Sequence, residues 1–146
     1  HNQLQQAAVL LKRSYKLNPT DRILTTMSWN HPFAWIHGVL LGILNGHTVT
    51  VHHGLEGKEF LDFLVSAKVT RLVDQPRFFQ RLLMFCKEYQ WRLPGTRSVT
   101  LGCGYVPATT LKIFSLMKIK ALQCYGLSEA GWTVALSDFE KDADEA

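Results

Sequence analysis

Ile119-Lys120-Ala121-Leu122-Gln123-Cys124-Tyr125-Gly126-Leu127-Ser128-Glu129-Ala130-Gly131 is the stretch on which the fold turns. Its mostly apolar run, Ile119 to Cys124, breaks abruptly into an aromatic, a glycine, a hydroxyl and a carboxylate. A short run of this kind fits a strand buried on both faces of a parallel sheet. In open α/β sheets such a strand delivers its last residues to the carboxyl edge, where ligands bind. Gly126 lets backbone approach a ligand closely, and Tyr125 offers a flat face for a heterocycle. Ser128 and Glu129 supply hard oxygen atoms of the kind that hold a phosphate-bound magnesium ion. The residues alone leave two readings open: a nucleotide–metal turn, or an ordinary strand-to-loop turn with Glu129 solvated.

Outward from this stretch, two periodicities alternate. Leu4, Ala7, Ala8, Leu11 and Tyr15 recur at helical spacing until Asn18-Pro19 stops them. Strands are expected over Asp21 to Met27, Thr48 to Val51, Val69 to Asp74, Val99 to Leu101 and Ile119 to Cys124. Helices are expected between them: Pro32 to Leu44 closed by Asn45-Gly46, Phe60 to Ala67, Phe78 to Tyr89, and Ala108 to Met117. Thr133 to Leu136 is a candidate for one more strand. Such alternation predicts an α/β fold in three layers, α-β-α, around a mostly parallel, flavodoxin- or Rossmann-like sheet. Residues 1–137 form the domain, and residues 138–146 an acidic tail or the start of a connection.

Composition narrows the function classes. A chain of 146 residues with 47% hydrophobic side chains is a globular domain, large enough to bury roughly two-thirds of its unfolded surface. The tail holds five acids and one lysine, which leaves 15 basic and 7 acidic residues in the body. That balance favours small polyanions such as nucleotides or coenzyme A. The bases are scattered, without a basic helix or interleaved aromatic stripe, so nucleic acid is not an expected partner. Cys86, Cys103 and Cys124 are odd in number, widely spaced and set in apolar contexts, which predicts reduced, buried thiols in a cytoplasmic protein. No leader-type segment opens the chain, and the apolar stretch Phe33 to Leu44 is too short to span a bilayer.

Parallel strands bring their carboxyl ends to one edge, and three of those ends are chemically unusual. They are Trp29-Asn30-His31-Pro32-Phe33-Ala34-Trp35, Gly102-Cys103-Gly104-Tyr105-Val106-Pro107, and Tyr125 to Glu129. Their order and spacing resemble the adenylate-forming enzymes: acyl- and aryl-CoA synthetases, luciferases and peptide-synthetase adenylation domains. Tyr125-Gly126-Leu127-Ser128-Glu129 is similar to that family's tyrosine-glycine-x-threonine/serine-glutamate motif, and Gly102 to Pro107 to its adenine loop. Asp21-Arg22-Ile23-Leu24 followed by His31 resembles its acyl-pocket segment, and Gly46 matches a family glycine. There are departures. Trp29-Asn30 replaces the usual proline and phenylalanine, and Cys103 stands where glycine or alanine is common.

The resemblance implies an ATP-dependent carboxylate-activating ligase. It forms an acyl-adenylate and then a thioester with CoA or a carrier phosphopantetheine. By resemblance Glu129 coordinates Mg2+, Ser128 bonds the α-phosphate region, and His31 lies near the carboxylate. Tyr125 and Gly126 pack beside adenine, while Gly102, Cys103 and Gly104 offer backbone groups to the base. The family's lysine-containing phosphate loop is expected before His1, with a ribose-binding aspartate, a hinge and a catalytic-lysine domain further on. The 146 residues are therefore expected to be a central piece of a larger enzyme and inactive alone.

Plainer roles stand beside these. His31 is also a helix-start cap, Tyr125 a core-edge tyrosine, and the Gly38, Gly42, Gly46 series a close-packing device rather than an acyl tunnel shared with Trp35. His47, His52 and His53 lack ligand spacing and are expected at the surface, with Phe78, Phe79 and Phe85 in the core. A non-catalytic nucleotide- or protein-binding module of the same fold is the other functional reading.

Overall fold

A computed structural model describes residues 2–52, 54, 57–130 and 133–138. His1, His53, Gly131 and residues 139–146 of the acidic tail lie outside the described residues. Six strands form one sheet in the order β2-β1-β3-β4-β5-β6. They are β1 (Arg22–Thr25), β2 (Thr48–Val51), β3 (Arg71–Asp74), β4 (Ser98–Leu101), β5 (Lys120–Tyr125) and β6 (Ala135–Asp138). The first five run parallel in the flavodoxin order. β6 is antiparallel, Tyr125 facing Ala135 and Leu122 facing Asp138. It starts two residues later than expected and reverses direction because the loop after β5 is too short for a crossover helix.

Strand residues alternate between two cores, which defines the three layers. Leu24, Leu72, Val99 and Ala121 face α4 (Gly57–Ser66), α5 (Pro76–Glu88) and α6 (Ala108–Leu116). Ile23, Val73, Leu122 and Cys124 face α1 (Asn2–Tyr15) and the segment that follows β1. The expected helix there is continuous but not uniform. It opens as α2 (Pro32–Ala34), widens into a π-helical stretch at Trp35–Leu40, and resumes as α3 (Leu41–Asn45). Gly46 ends it at φ +71°, the left-handed cap that glycine adopts without steric cost.

Several expectations change in detail. β1 stops at Thr25 because the Thr26 N–H and hydroxyl both donate to Asp74 Oδ2, at 2.8 and 2.7 Å, instead of extending the ladder. Val69 is spent on closing α4, donating to Leu64 O at 3.0 Å. Phe79 is fully buried, whereas Phe78 and Phe85 are only partly so. His47 and His52 are half-buried rather than at the surface, and His52 packs its ring 4.5 Å from Phe63. Cys86 and Cys124 are buried free thiols, but Cys103 is exposed because the loop after β4 turns it outward. No helix among the described residues is long and apolar enough to cross a membrane.

Gly38 and Gly42 hold the helix close to the sheet. A Cβ at Gly42 would stand 1.9 Å from Val49 Cγ2, and one at Gly38 would touch Thr25 and Val49. Packing accounts for Gly38 and Gly42, whereas Gly46 serves as the helix cap. Gly42→Ala is expected to lower stability by about 1–3 kcal/mol, the usual cost of forcing a methyl into a filled core. A urea midpoint equal to wild type would show that α3 lifts from β2 freely.

The amino edge of the sheet is closed by ions. Asp21 is buried and accepts hydrogen bonds from Arg71 Nε at 2.9 Å, Thr70 Oγ1 at 2.8 Å, the Asn18 N–H at 3.0 Å, and Arg97. Arg71 also donates to Ser98 Oγ at 2.8 Å. One carboxylate thus joins the segment before β1 to the starts of β3 and β4.

Candidate functional site

The carboxyl edge carries the chemistry. Pro32 opens α2 and His31 caps it, its Nδ1 accepting the Phe33 N–H at 3.2 Å. In the neutral ring this places the proton on Nε2. His31 therefore fills the capping role read from the sequence.

Gly102 is buried at the end of β4, where a Cβ would stand 2.6 Å from the Phe33 ring. The loop after β4 thus leans directly on the helix that His31 begins. Cys103 sits at φ +66°, a conformation costing a non-glycine residue about 1 kcal/mol or more, and a Cβ at Gly104 would stand 3.6 Å from Pro76 Cδ. Strain of this kind is carried where surrounding structure fixes a loop's shape. Beyond it Tyr105 is 85% exposed.

β5 ends at Tyr125, which is 61% exposed and so available for stacking rather than part of the core edge. Gly126 follows, then a single 3-10 turn, Ser128–Ala130, holding exposed Ser128 and Glu129. The loop closes on itself where the Val134 N–H donates to Tyr125 O at 3.0 Å. Ser128 shares a cleft of about 330 Å³ with Trp29, Asn30, Pro32, Trp35 and Ile36. The first and third loops therefore form one wall, and the second abuts it through Gly102 and Phe33.

Among the described residues no three His, Cys, Asp or Glu side chains gather as a metal cage. The Ser128 hydroxyl and Glu129 carboxylate fit a magnesium ion that keeps most of its sites for phosphate oxygens and water, as Mg2+ commonly does.

Several features escaped the sequence reading. His37, to which the sequence reading gave no role, is fully buried among Tyr15, Phe33, Cys124 and Thr133. Burial alone drives its pKa down to about 3, so the ring is neutral at physiological pH. Burial likewise raises the Tyr15 phenol well above its ordinary value, against the opposing effect of the Thr100 hydroxyl beside it. A second cavity, about 340 Å³, opens between the ends of β1 and β3, with Thr26, His52, Asp74, Arg77, Phe78 and Phe85 in its lining. That gap is where the strand order reverses. Its residues come from four separate segments, and no motif announces them.

Together these features define a three-layer α/β domain with three loops gathered at the carboxyl edge of a flavodoxin-ordered sheet. A family profile described as AMP-binding enzyme matches residues 1–146, and the chain belongs to that family. A search of curated protein sequences returns no significant match. Among solved structures, the N-terminal domain of FACL13 from Mycobacterium tuberculosis superposes with a TM-score of 0.88 at 19% identity. o-Succinylbenzoate CoA synthetase (MenE) from Bacillus subtilis, bound to a product analogue, gives 0.84 at 20% identity. The adenylation domain of a keto acid-selecting NRPS module, bound to its keto acyl adenylate, gives 0.77 at 16%. These likenesses cover 100%, 97% and 92% of this chain but only 37%, 29% and 27% of the others. The chain thus spans about a third of the length of the structures it matches.

Proposed function

We propose that this chain is the central nucleotide-and-acyl portion of an ATP-dependent carboxylate ligase that forms an acyl-adenylate and then a thioester with CoA or a carrier phosphopantetheine. One observation carries the reading: Ser128 opens onto the cleft lined by Trp29 and Trp35, while Gly102 of the middle loop rests on Phe33. Polar groups suited to a triphosphate and an apolar recess suited to an acyl or aryl group share one wall. Family membership over the full 146 residues supports it.

In the reaction a carboxylate oxygen bonds to the α-phosphorus of ATP, and the bond from that phosphorus to the bridging oxygen breaks, its electron pair leaving with pyrophosphate. Charge on phosphate oxygens dominates the barrier, so positioned donors and cations stabilise it most. Tyr125 stacks on the adenine, with Gly126 leaving room, and the backbone of Gly102, Cys103 and Gly104 meets the base edge. Ser128 donates to an α-phosphate oxygen. Glu129 would hold Mg2+, which would supply positive charge against the phosphate oxygens. His31 orients the carboxylate, and Trp29 and Trp35 pack on its apolar part and exclude water. Thioester formation follows when a thiolate attacks the acyl carbon and AMP leaves.

The test is carboxylic acid-dependent exchange of labelled pyrophosphate into ATP by the longer protein that we propose contains this chain. Apolar acids are expected to support exchange, and residues 1–146 alone are expected to show none. Trp35→Ala is expected to raise KM for the acid by about tenfold, the scale of one lost apolar contact, without changing KM for ATP. Nucleotide binding with no exchange across a broad panel of acids would instead favour the non-catalytic module.

A further inference from the structure

We propose that His37 is the positioning residue of the nucleotide site, a buried clamp that fastens the stems of all three loops together. Each stem reaches it. Cys124, the residue before Tyr125, places its thiol 3.5 Å from His37 Nε2, and Thr133, beyond the Ser128–Ala130 turn, places Oγ1 2.9 Å from the same nitrogen. The loop bearing Glu129 is therefore gripped on its way in and on its way out. The Phe33 ring packs 4.5 Å from the imidazole and is the ring that Gly102 abuts, which ties in the loop after β4. The third stem is His37's own helix, opened by His31.

The other ring nitrogen anchors the clamp, Nδ1 being hydrogen-bonded to the Tyr15 hydroxyl of α1. Both tautomers satisfy the ring. Either Tyr15 donates to Nδ1 and Nε2–H donates to Thr133, or Nδ1–H donates to Tyr15 and Thr133 donates to Nε2. The ring stays neutral throughout the working pH range, so this role is not a titration switch.

A core histidine needs partners, but nothing requires that they come from the loop. Here one partner is half-buried Thr133, and a leucine would fill similar space without it. His37 also lies inside the π-helical stretch Trp35–Leu40, a backbone irregularity that recurs at functional sites and turns the following residues relative to those before.

The proposal rests on the proposed function for its consequence, not for its geometry, and the experiment separates the two. Thr133→Val, His37→Gln and His37→Leu are compared in the longer protein by amide hydrogen exchange without nucleotide and by steady-state kinetics. Thr133→Val is nearly isosteric and folds even if His37→Leu does not. Thr133→Val and His37→Leu are expected to speed exchange over residues 125–130 about tenfold and to raise KM for MgATP comparably, the scale of one lost buried hydrogen bond. His37→Gln, which keeps a donor and an acceptor, restores part of both. The double variant is expected to be no worse than His37→Leu, because the two residues share one interaction. Exchange over 125–130 unchanged by Thr133→Val, or raised equally across the whole protein, overturns the clamp. Faster loop exchange in a protein that never uses ATP keeps the clamp and overturns the proposed function.

Discussion

Glu129→Gln is expected to cut acid-dependent ATP–pyrophosphate exchange in the longer protein by about 10²-fold or more, with KM for the acid nearly unchanged. Glu129 is exposed on a one-turn helix, so the amide substitution disturbs no packing and the fold is expected to survive. What changes is charge. Under the proposed function Glu129 is the anionic ligand to the phosphate-bound cation in this turn, and the amide removes that charge. Losing one electrostatic contact to a developing phosphate charge typically costs about 10²–10³ in rate. Magnesium titration sharpens the test. Glu129→Gln should need far more Mg2+ to reach its lowered maximum, whereas Ser128→Ala should lose rate with little change in Mg2+ demand. Near-normal exchange by Glu129→Gln at saturating magnesium would refute the metal role.

Much of this architecture was legible in the chain. β-Branched Thr48–Val51 forms a strand with the expected ends, and Asn45-Gly46 closes its helix as read. Strand order beyond "mostly parallel" was not legible, because apolar strands buried on both faces carry no mark of their neighbours. Helix ends blurred for a related reason. Lys16, Lys68, Gln90 and Lys118 follow four helices at positive φ, where sequence cues favour glycine or asparagine. The site divided along the same line. Loops with a local signature, such as Tyr125 to Glu129, could be read, but relations between distant positions could not. His37, Tyr15 and Thr133 meet across more than a hundred residues of chain, and a single histidine in an apolar helix announces none of it.

Asp21→Asn is expected to destabilise the domain more than any surface change, by about 3–5 kcal/mol, because it leaves buried Arg71 without its counter-charge. For a domain of this size that corresponds to a fall in Tm on the order of 10 °C. The pH dependence identifies the cause. Burial by itself would raise the Asp21 carboxyl, but hydrogen bonds from Asn18, Arg71, Thr70 and Arg97 outweigh it and hold the pKa at about 2, below the ordinary 3.8. A depressed acid contributes stability that is fully present above the unfolded value and is lost as pH falls through the folded one. Wild type should therefore lose up to about 2 kcal/mol between pH 4 and pH 2 from this group alone. Asp21→Asn has no such proton to take up, so its stability should be flatter across that window, and the gap between the two proteins should narrow in acid. Parallel curves would mean that Asp21 acts only through shape and hydrogen bonding. Convergence would show that one buried charge, at the edge opposite the proposed active site, is what fastens the starts of β1, β3 and β4 together.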